Sequence, residues 1–275
     1  MKIKIIKVFA IALLLSLSAF ISCGCEQTET LEPDSIFKEK TVVFASLEKD
    51  SLFNGVTFTR TLPLNEPYDI KKAELKDVTA YLKINGIQVI PLIYDKNGVY
   101  KPGNKLYVEP ETTYELFADW EGKSIYAITR VPGVPEVTGA LIVDGKYVEA
   151  KINPKGNETY GAAWFITGAN EFRISGLSAD FFEVYGAPSL PPSSVSLRTT
   201  DIPEEYRTDL YAKRTYVKVF AFDKSFYDYF KTRANNQQVH NSFTQGGSNI
   251  IWNVYGNDVI GLFIGNAAGK LIRPN

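Results

Sequence analysis

The sequence predicts an all-β protein of two β-sandwich domains, the first immunoglobulin- or fibronectin-like, with one helix in the second. Three observations carry this. Residues 56–62 and 108–120 alternate in polarity with period two, the mark of half-buried strands. Asn85-Gly86, Asn97-Gly98 and Asp144-Gly145 interrupt such runs, and Asn-Gly or Asp-Gly supplies the positive φ angles of a two-residue hairpin turn. The 275 residues also include 16 Tyr and 17 Phe, residue types that suit pleated, half-buried surfaces.

The chain opens differently. Lys2, Lys4 and Lys7 precede an apolar run at residues 8–17, shorter than the ~20 residues a membrane-spanning helix needs. A basic start, a short apolar core and small residues before a cut site make a signal peptide, here residues 1–22. Phe20-Ile21-Ser22-Cys23 resembles a lipobox, in which the cysteine is acylated and becomes the first residue. Phe20 departs from the Leu preferred there, and Cys25 fits the pattern less well. Cys23 is therefore the expected lipidation site. Buried acyl chains contribute about 0.8 kcal/mol per CH₂, and more than one chain makes anchoring stable. Residues 23–40 carry Glu26, Glu29, Glu32, Asp34 and Glu39 with few large apolar side chains, and are expected to be a tether that does not fold alone.

Folding is expected from residue 41, with a strand at 41–47 and a turn at Asn54-Gly55. In 56–62, Val56, Phe58, Arg60 and Leu62 share a face. A polar stretch at 65–75 reads as a loop with one helical turn. Strands at 78–84 and 87–94 flank Asn85-Gly86. Asp95 lies beside Asn97-Gly98 but lacks the spaced acids and closing Glu of a calcium loop, so it reads as part of a turn. Val108, Pro110, Thr112, Tyr114, Leu116, Ala118 and Trp120 fall on alternate positions, and Tyr114 is placed as a corner tyrosine whose hydroxyl bonds nearby backbone. Glu121-Gly122 turns into a last strand at 124–131.

Val131-Pro132-Gly133-Val134-Pro135 punctuates the chain and divides it into domains 41–131 and 136–275, close enough to touch. The second begins with strands at 136–143 and 146–153, the latter with Val148, Ala150 and Ile152 inward. Trp164 and Phe165 are neighbours in a strand at 160–167, so their rings point to opposite faces; Phe181 and Phe182 do the same. Residues 187–194 read as a proline-rich loop, 200–210 as polar with a helical turn, and 215–222 as a central strand. Ser225-Phe226-Tyr227-Asp228 matches a capping box, with Phe226, Tyr229 and Phe230 as the apolar stripe of the helix. Residues 259–264 close the fold.

These pieces in this order resemble a family of Bacteroidetes outer-membrane lipoproteins catalogued as domain of unknown function 4249. The similarity lies in Val56-Thr57-Phe58-Thr59-Arg60-Thr61-Leu62-Pro63, Ala127-Ile128-Thr129-Arg130-Val131-Pro132, Phe226-Tyr227-Asp228-Tyr229-Phe230 and Ser248-Asn249-Ile250 with Ile260-Gly261-Leu262-Phe263. The segment 252–258 is bulkier than the glycine-rich turn of the family. The resemblance implies a lipid-anchored protein of the outer membrane, on its surface or its periplasmic face, that serves nutrient uptake beside an outer-membrane transporter. It carries over no catalytic residues.

Composition narrows the function classes. The net charge is −1 from 30 basic and 31 acidic residues, and loss of Lys2, Lys4 and Lys7 with the leader leaves 27 against 31. That argues against nucleic acid. Cys23 and Cys25 are the sole cysteines and His240 the sole histidine, so paired-His metal motifs and most zinc sites are excluded, and no cofactor is expected. Residues 265–271 fall one residue short of a phosphate loop. The neighbouring acids Asp119/Glu121, Asp180/Glu183 and Glu204/Glu205 read as solvated rather than as a glycosidase pair. The chain is thus expected to be a binding or accessory protein, not an enzyme. The candidate contacts are Trp164, Phe165, Phe181 and Phe182, toward a transporter or a glycan. The alternatives are a structural subunit of a fimbria-like assembly and, less favoured, a carbohydrate-active hydrolase.

Overall fold

The computed structural model describes residues 37–63, 66–167, 173–175, 181–233 and 250–275, the backbone alone at 173–175. Cys23, Cys25, Asp180, His240 and most of the expected tether lie outside them.

The first strands form where polarity alternates. They are β1 (Thr41–Glu48), β2 (Val56–Arg60), β3 (Thr79–Ile84), β4 (Gln88–Lys96), β5 (Val99–Pro102), β6 (Thr113–Trp120) and β7 (Lys123–Arg130). Asn85-Gly86, Asn97-Gly98 and Glu121-Gly122 join them, with φ of 49° and 71°, 51° and 76°, and 51° and 75°. Paired positive φ is the primed turn that matches strand twist. The one-turn helix α1 (Ile70–Ala73) is capped by Asp69, whose carboxylate accepts from Lys71 N at 2.9 Å.

After the linker come β8 (Glu136–Val143), β9 (Tyr147–Asn153), β10 (Glu158–Thr167), β11 (Arg173–Ser175), β12 (Val184–Gly186) and β13 (Val195–Arg198). A 3₁₀ turn at Glu204–Tyr206 and a short helix α2 (Asp209–Ala212) lead to β14 (Thr215–Asp223) and the helix α3 (Ser225–Thr232). The chain ends with β15 (Val254–Tyr255) and β16 (Val259–Ala268). The helical turn expected within 200–210 is the 3₁₀ turn, and α2 is a short helix beyond the single one expected. The capping box does not form at α3. The chain enters the helix directly from β14, so the carboxylate of Asp223 already accepts from Ser225 N at 2.9 Å and from its hydroxyl at 2.6 Å.

The protein is an all-β sandwich fold built on one long hydrogen-bonded path and one small sheet. The path runs β11-β10-β14-β16-β1-β2-β5-β4-β3-β6-β7-β15, with β12 added on β10; the small sheet is β13-β9-β8. The path curls round a first core that includes Val43, Phe58, Leu82, Leu116 and Phe263. Side chains complete its closing seam. Asn253 donates to Phe263 O at 2.6 Å and accepts from Phe263 N at 2.8 Å, and Thr129 Oγ1 accepts from Gly265 N at 2.8 Å. A Cβ on Gly265 would sit 2.8 Å from Arg130 O, so this approach requires glycine.

In the second part β10 and β14 form a middle layer. One face packs on the small sheet through Val148, Ile152, Trp164 and Val217. The other packs under α3 through Phe165, Phe181, Phe226 and Phe230.

The division at 131/136 separates neither the sheets nor the first core, which takes Val254 and Phe263 from beyond it. β16 runs parallel to β1 from Thr41↔Val259 to Glu48↔Asn266, and its end pairs with β14. β15 pairs with β7. An unpaired edge on β1 is an exposed template, and the apolar β16 covers it. Residues Glu39–Asn275 accordingly form one contact unit. Four of the five linker residues are buried, Val134 being the exception.

Two tyrosine corners stand at this junction. Tyr114 is buried and its hydroxyl accepts from Glu109 N at 2.9 Å, as its position in the sequence predicts. Tyr160 is buried in the same way and its hydroxyl accepts from Lys155 N at 2.8 Å, over the same five-residue span. Glu111 and Asn157, each three residues before its tyrosine, both take positive φ, 58° and 61°.

Candidate functional site

Three of the four aromatics singled out in the sequence are core. Trp164 is 2% exposed, and Phe165 and Phe181 are 7% exposed. Their rings do point to opposite faces, but a layer covers each face: the small sheet over Trp164, α3 over Phe165. Phe181 sits above Gly161, where a Cβ would approach its ring to 2.7 Å. These three are not ligand contacts. Phe182 stays half-exposed, yet its ring is stacked by the Arg198 guanidinium at 4.1 Å, which also lies 4.1 Å from Tyr147. This clip fastens a loop to the small sheet.

The open face lies on the first part. In β3, β6 and β7 the residues Ala80, Leu82, Leu116, Ala118, Ile125 and Ala127 are buried, so strand alternation turns the residues between them outward. The registers then set three rows across the strands. The central row is Pro91, Tyr81, Phe117, Tyr126 and Tyr255, each directly opposite the next. One flank is Thr79, Asp119 and Ser124; the other is Val89, Lys83, Glu115 and Ile128.

The rings of the central row touch in sequence. Tyr81 and Phe117 lie 5.1 Å apart with planes 12° from parallel, Phe117 and Tyr126 5.0 Å apart at 56°, and Tyr126 and Tyr255 6.4 Å apart at 28°. These separations and angles are the offset and tilted arrangements that aromatic pairs prefer. Cross-strand pairs of this kind contribute about 0.2–1 kcal/mol each to the sheet. That accounts for the pairing but not for the depression of about 300 Å³ that Thr79, Tyr81, Phe117, Asp119, Ser124 and Tyr126 line. A second depression, about 360 Å³, adjoins it past Pro91 and is lined by Val89, Ile93 and residues 102–106.

The electrostatics of the face are balanced. Lys83 stands opposite Glu115, whose carboxylate accepts from the Tyr126 hydroxyl at 3.1 Å. Burial and that carboxylate push the Tyr126 hydroxyl up from its ordinary range. Asp119 accepts from Gly122 N at 3.3 Å through one oxygen; the other has no partner among the described residues. Such a face offers ring surface beside hydroxyl and carboxylate acceptors, without a strong charge of either sign.

A second polar cluster lies between the corners. Glu111 pairs with Arg130 and, at 3.3 Å, with Lys155. Burial opposes the Glu111 charge, but those two cations hold its carboxyl below the usual range. Glu158 is 4% exposed, and burial raises its carboxyl even though the Tyr160 hydroxyl donates to it at 2.5 Å. Arg130 N also donates to Asp223 at 2.9 Å. This group ties linker, corners and β14 together and opens onto neither depression.

No catalytic constellation assembles among the described residues. Asp119 braces the turn that contains Glu121, and Glu204 and Glu205 are exposed on a 3₁₀ turn. No group of three or more metal-ligating side chains occurs among the described residues, and none of their helices is long and apolar enough to cross a membrane. Gly265, start of the apparent phosphate loop, lies within β16. β1 is paired to β16 along its length and to β2 over its first half, whereas a fimbria-like subunit needs a removable first strand.

Fold and site together define an all-β sandwich protein with an open aromatic sheet face. No family model matches the chain, and no curated protein matches it.

The row contains no adjacent aromatics of the kind found at Trp164-Phe165 and Phe181-Phe182. Tyr81, Phe117 and Tyr126 each stand alone at a position that alternation assigns to solvent, whereas Tyr255 lies on a strand of two residues, too short to show alternation. Their alignment depends on register.

Proposed function

We propose that this is a lipid-anchored outer-membrane binding protein, an accessory to nutrient uptake, that engages a glycan on the open face of β4, β3, β6, β7 and β15. One observation carries the reading: four rings in register across four strands, beside a row of hydroxyl and carboxylate acceptors. Sugars present apolar C–H faces and a rim of hydroxyls, and aromatic side chains offer apolar area with defined geometry. The lipobox at Cys23 and the similarity to Bacteroidetes lipoproteins support the anchor, the membrane and the partnership with a transporter. The corner at Tyr114 supports an immunoglobulin-like first sandwich.

The test is glycan-array binding by the full chain in detergent. Binding should fall more than tenfold in Phe117→Ala and stay unchanged in Leu141→Ser, which alters an exposed residue of the small sheet. Absence of any glycan binding, together with no co-purification of an outer-membrane transporter, overturns the reading. Protease accessibility on intact cells assigns the face of the membrane.

A further inference from the structure

We infer that the ring row holds a single extended, uncharged polysaccharide strand that lies across the β-strands and fills about four sugar-sized positions; this rests on the glycan reading above. The central row takes one residue from each of five adjacent strands, Pro91 to Tyr255. Neighbouring strands are ~4.8 Å apart, so the row is roughly 19 Å long. A pyranose ring with its glycosidic oxygen is comparable in length with one strand spacing, ~4.8 Å. Ring pitch and sugar pitch match over the first two steps, with centroid separations of 5.1 and 5.0 Å, and the last step to Tyr255 is longer, 6.4 Å.

The polar flank sets which edge of the chain faces where. Thr79, Asp119 and Ser124 run parallel to the rings and share their depression. Sugar C–H faces rest on the rings while hydroxyls on one edge donate to Asp119 and bond Thr79 and Ser124. Charge argues for a neutral ligand. Lys83 is offset by Glu115 across the strand pair, and the remaining charge in the depression is the carboxylate of Asp119, which repels an acidic glycan.

The row is not a flat platform. Ring planes change by 12°, then 56°, then 28°. A crystalline polymer surface would meet one or two rings; one twisting chain follows them all. The end rings Tyr255 and Tyr81 are 59% and 37% exposed and the inner rings Phe117 and Tyr126 are partly buried, so the row is most open at the β15 side.

The experiment is calorimetric titration of the full chain in detergent with neutral β-linked oligosaccharides from disaccharide to hexasaccharide. Affinity should climb several-fold per added unit and level off near the tetrasaccharide. Tyr255→Ala should move that plateau one unit shorter. Phe117→Ala should abolish binding at every length, with its thermal melt recorded to show that it folds. If affinity is already maximal at the disaccharide yet still lost in Phe117→Ala, the glycan reading stands and the extended-chain inference falls. Retention on insoluble crystalline polymer without binding of soluble oligomers also overturns the inference. Failure of all glycans, or Phe117-dependent self-association that shows the face filled by a second copy, overturns both.

Discussion

The two tyrosine corners use one backbone device with different chemistry. In both, a buried hydroxyl accepts an amide proton five residues upstream across a positive-φ residue. At Tyr114 the arrangement is self-contained, its hydroxyl having no other protein partner among the contacts described here. At Tyr160 the hydroxyl also donates at 2.5 Å to Glu158, a carboxylate buried where the two cores meet and left with one oxygen unpartnered. Burial and this carboxylate drive the Tyr160 hydroxyl far above its ordinary range. The first corner stiffens one sandwich. The second joins that job to holding a charge at the junction, beside Lys155, Glu111 and Arg130.

The largest difference should appear when the hydroxyls are removed. Tyr160→Phe strands both an amide and a buried carboxylate, and each unsatisfied group costs about 1–3 kcal/mol. A loss of about 3 kcal/mol is expected in urea unfolding. Tyr114→Phe strands one partly buried amide, Glu109 N, and should cost about 1 kcal/mol. Equal losses at the two sites would show that Glu158 adds nothing to the second corner.

A smaller effect of opposite sign is expected from Glu158→Gln. Because burial raises the Glu158 carboxyl, the folded state holds that proton more tightly than the unfolded chain. The associated stability is present below the ordinary glutamate range and is lost as pH rises through the raised one. Glu158→Gln keeps an acceptor for Tyr160 and removes the charge. It should match or exceed the parent at neutral pH and flatten the decline in melting temperature from acid toward neutral. A steeper decline would mean that Lys155 and Arg130 more than offset the burial.

The smallest effect belongs to Gly133→Ala. A Cβ there would sit 2.7 Å from Glu111 Oε1 and 2.9 Å from Lys155 Nζ, the movable ends of two long side chains. They can swing aside and give up their ion pair. An exposed pair of this kind is worth up to about 1 kcal/mol, so the melt should shift by a degree or two at low salt and not at high salt. A large shift at every ionic strength would mark the linker, rather than the ion pair, as the rigid part of the junction.

Much of the fold was legible locally. The primed turns at Asn85-Gly86, Asn97-Gly98 and Asp144-Gly145 follow from residues that tolerate positive φ. The inward sets Val148, Ala150 and Ile152, and Tyr114, Leu116 and Trp120, follow from period two. The second corner was missed because Lys155-Gly156-Asn157 reads as an ordinary loop and Tyr160 begins a strand buried on both faces, which hides the alternation. The cap of α3 was misassigned because Asp223 outcompetes Ser225 once β14 delivers the chain straight into the helix.

The sequence by itself determined the longer strands, their turns, the inward faces and the Tyr114 corner, because each depends on neighbours within a few residues; the short strands β11, β12, β13 and β15 carry no such local pattern. Tertiary structure decided the rest. Parallel pairing of β1 with β16 joins residues more than two hundred positions apart, and no local pattern encodes that choice. Burial of Trp164, Phe165 and Phe181 depended on which layers cover β10, not on where their strands point. The ring row is the clearest case. Alternation sends Tyr81, Phe117 and Tyr126 outward one at a time, and only strand register, fixed by the packed inner face, brings them into line with Tyr255.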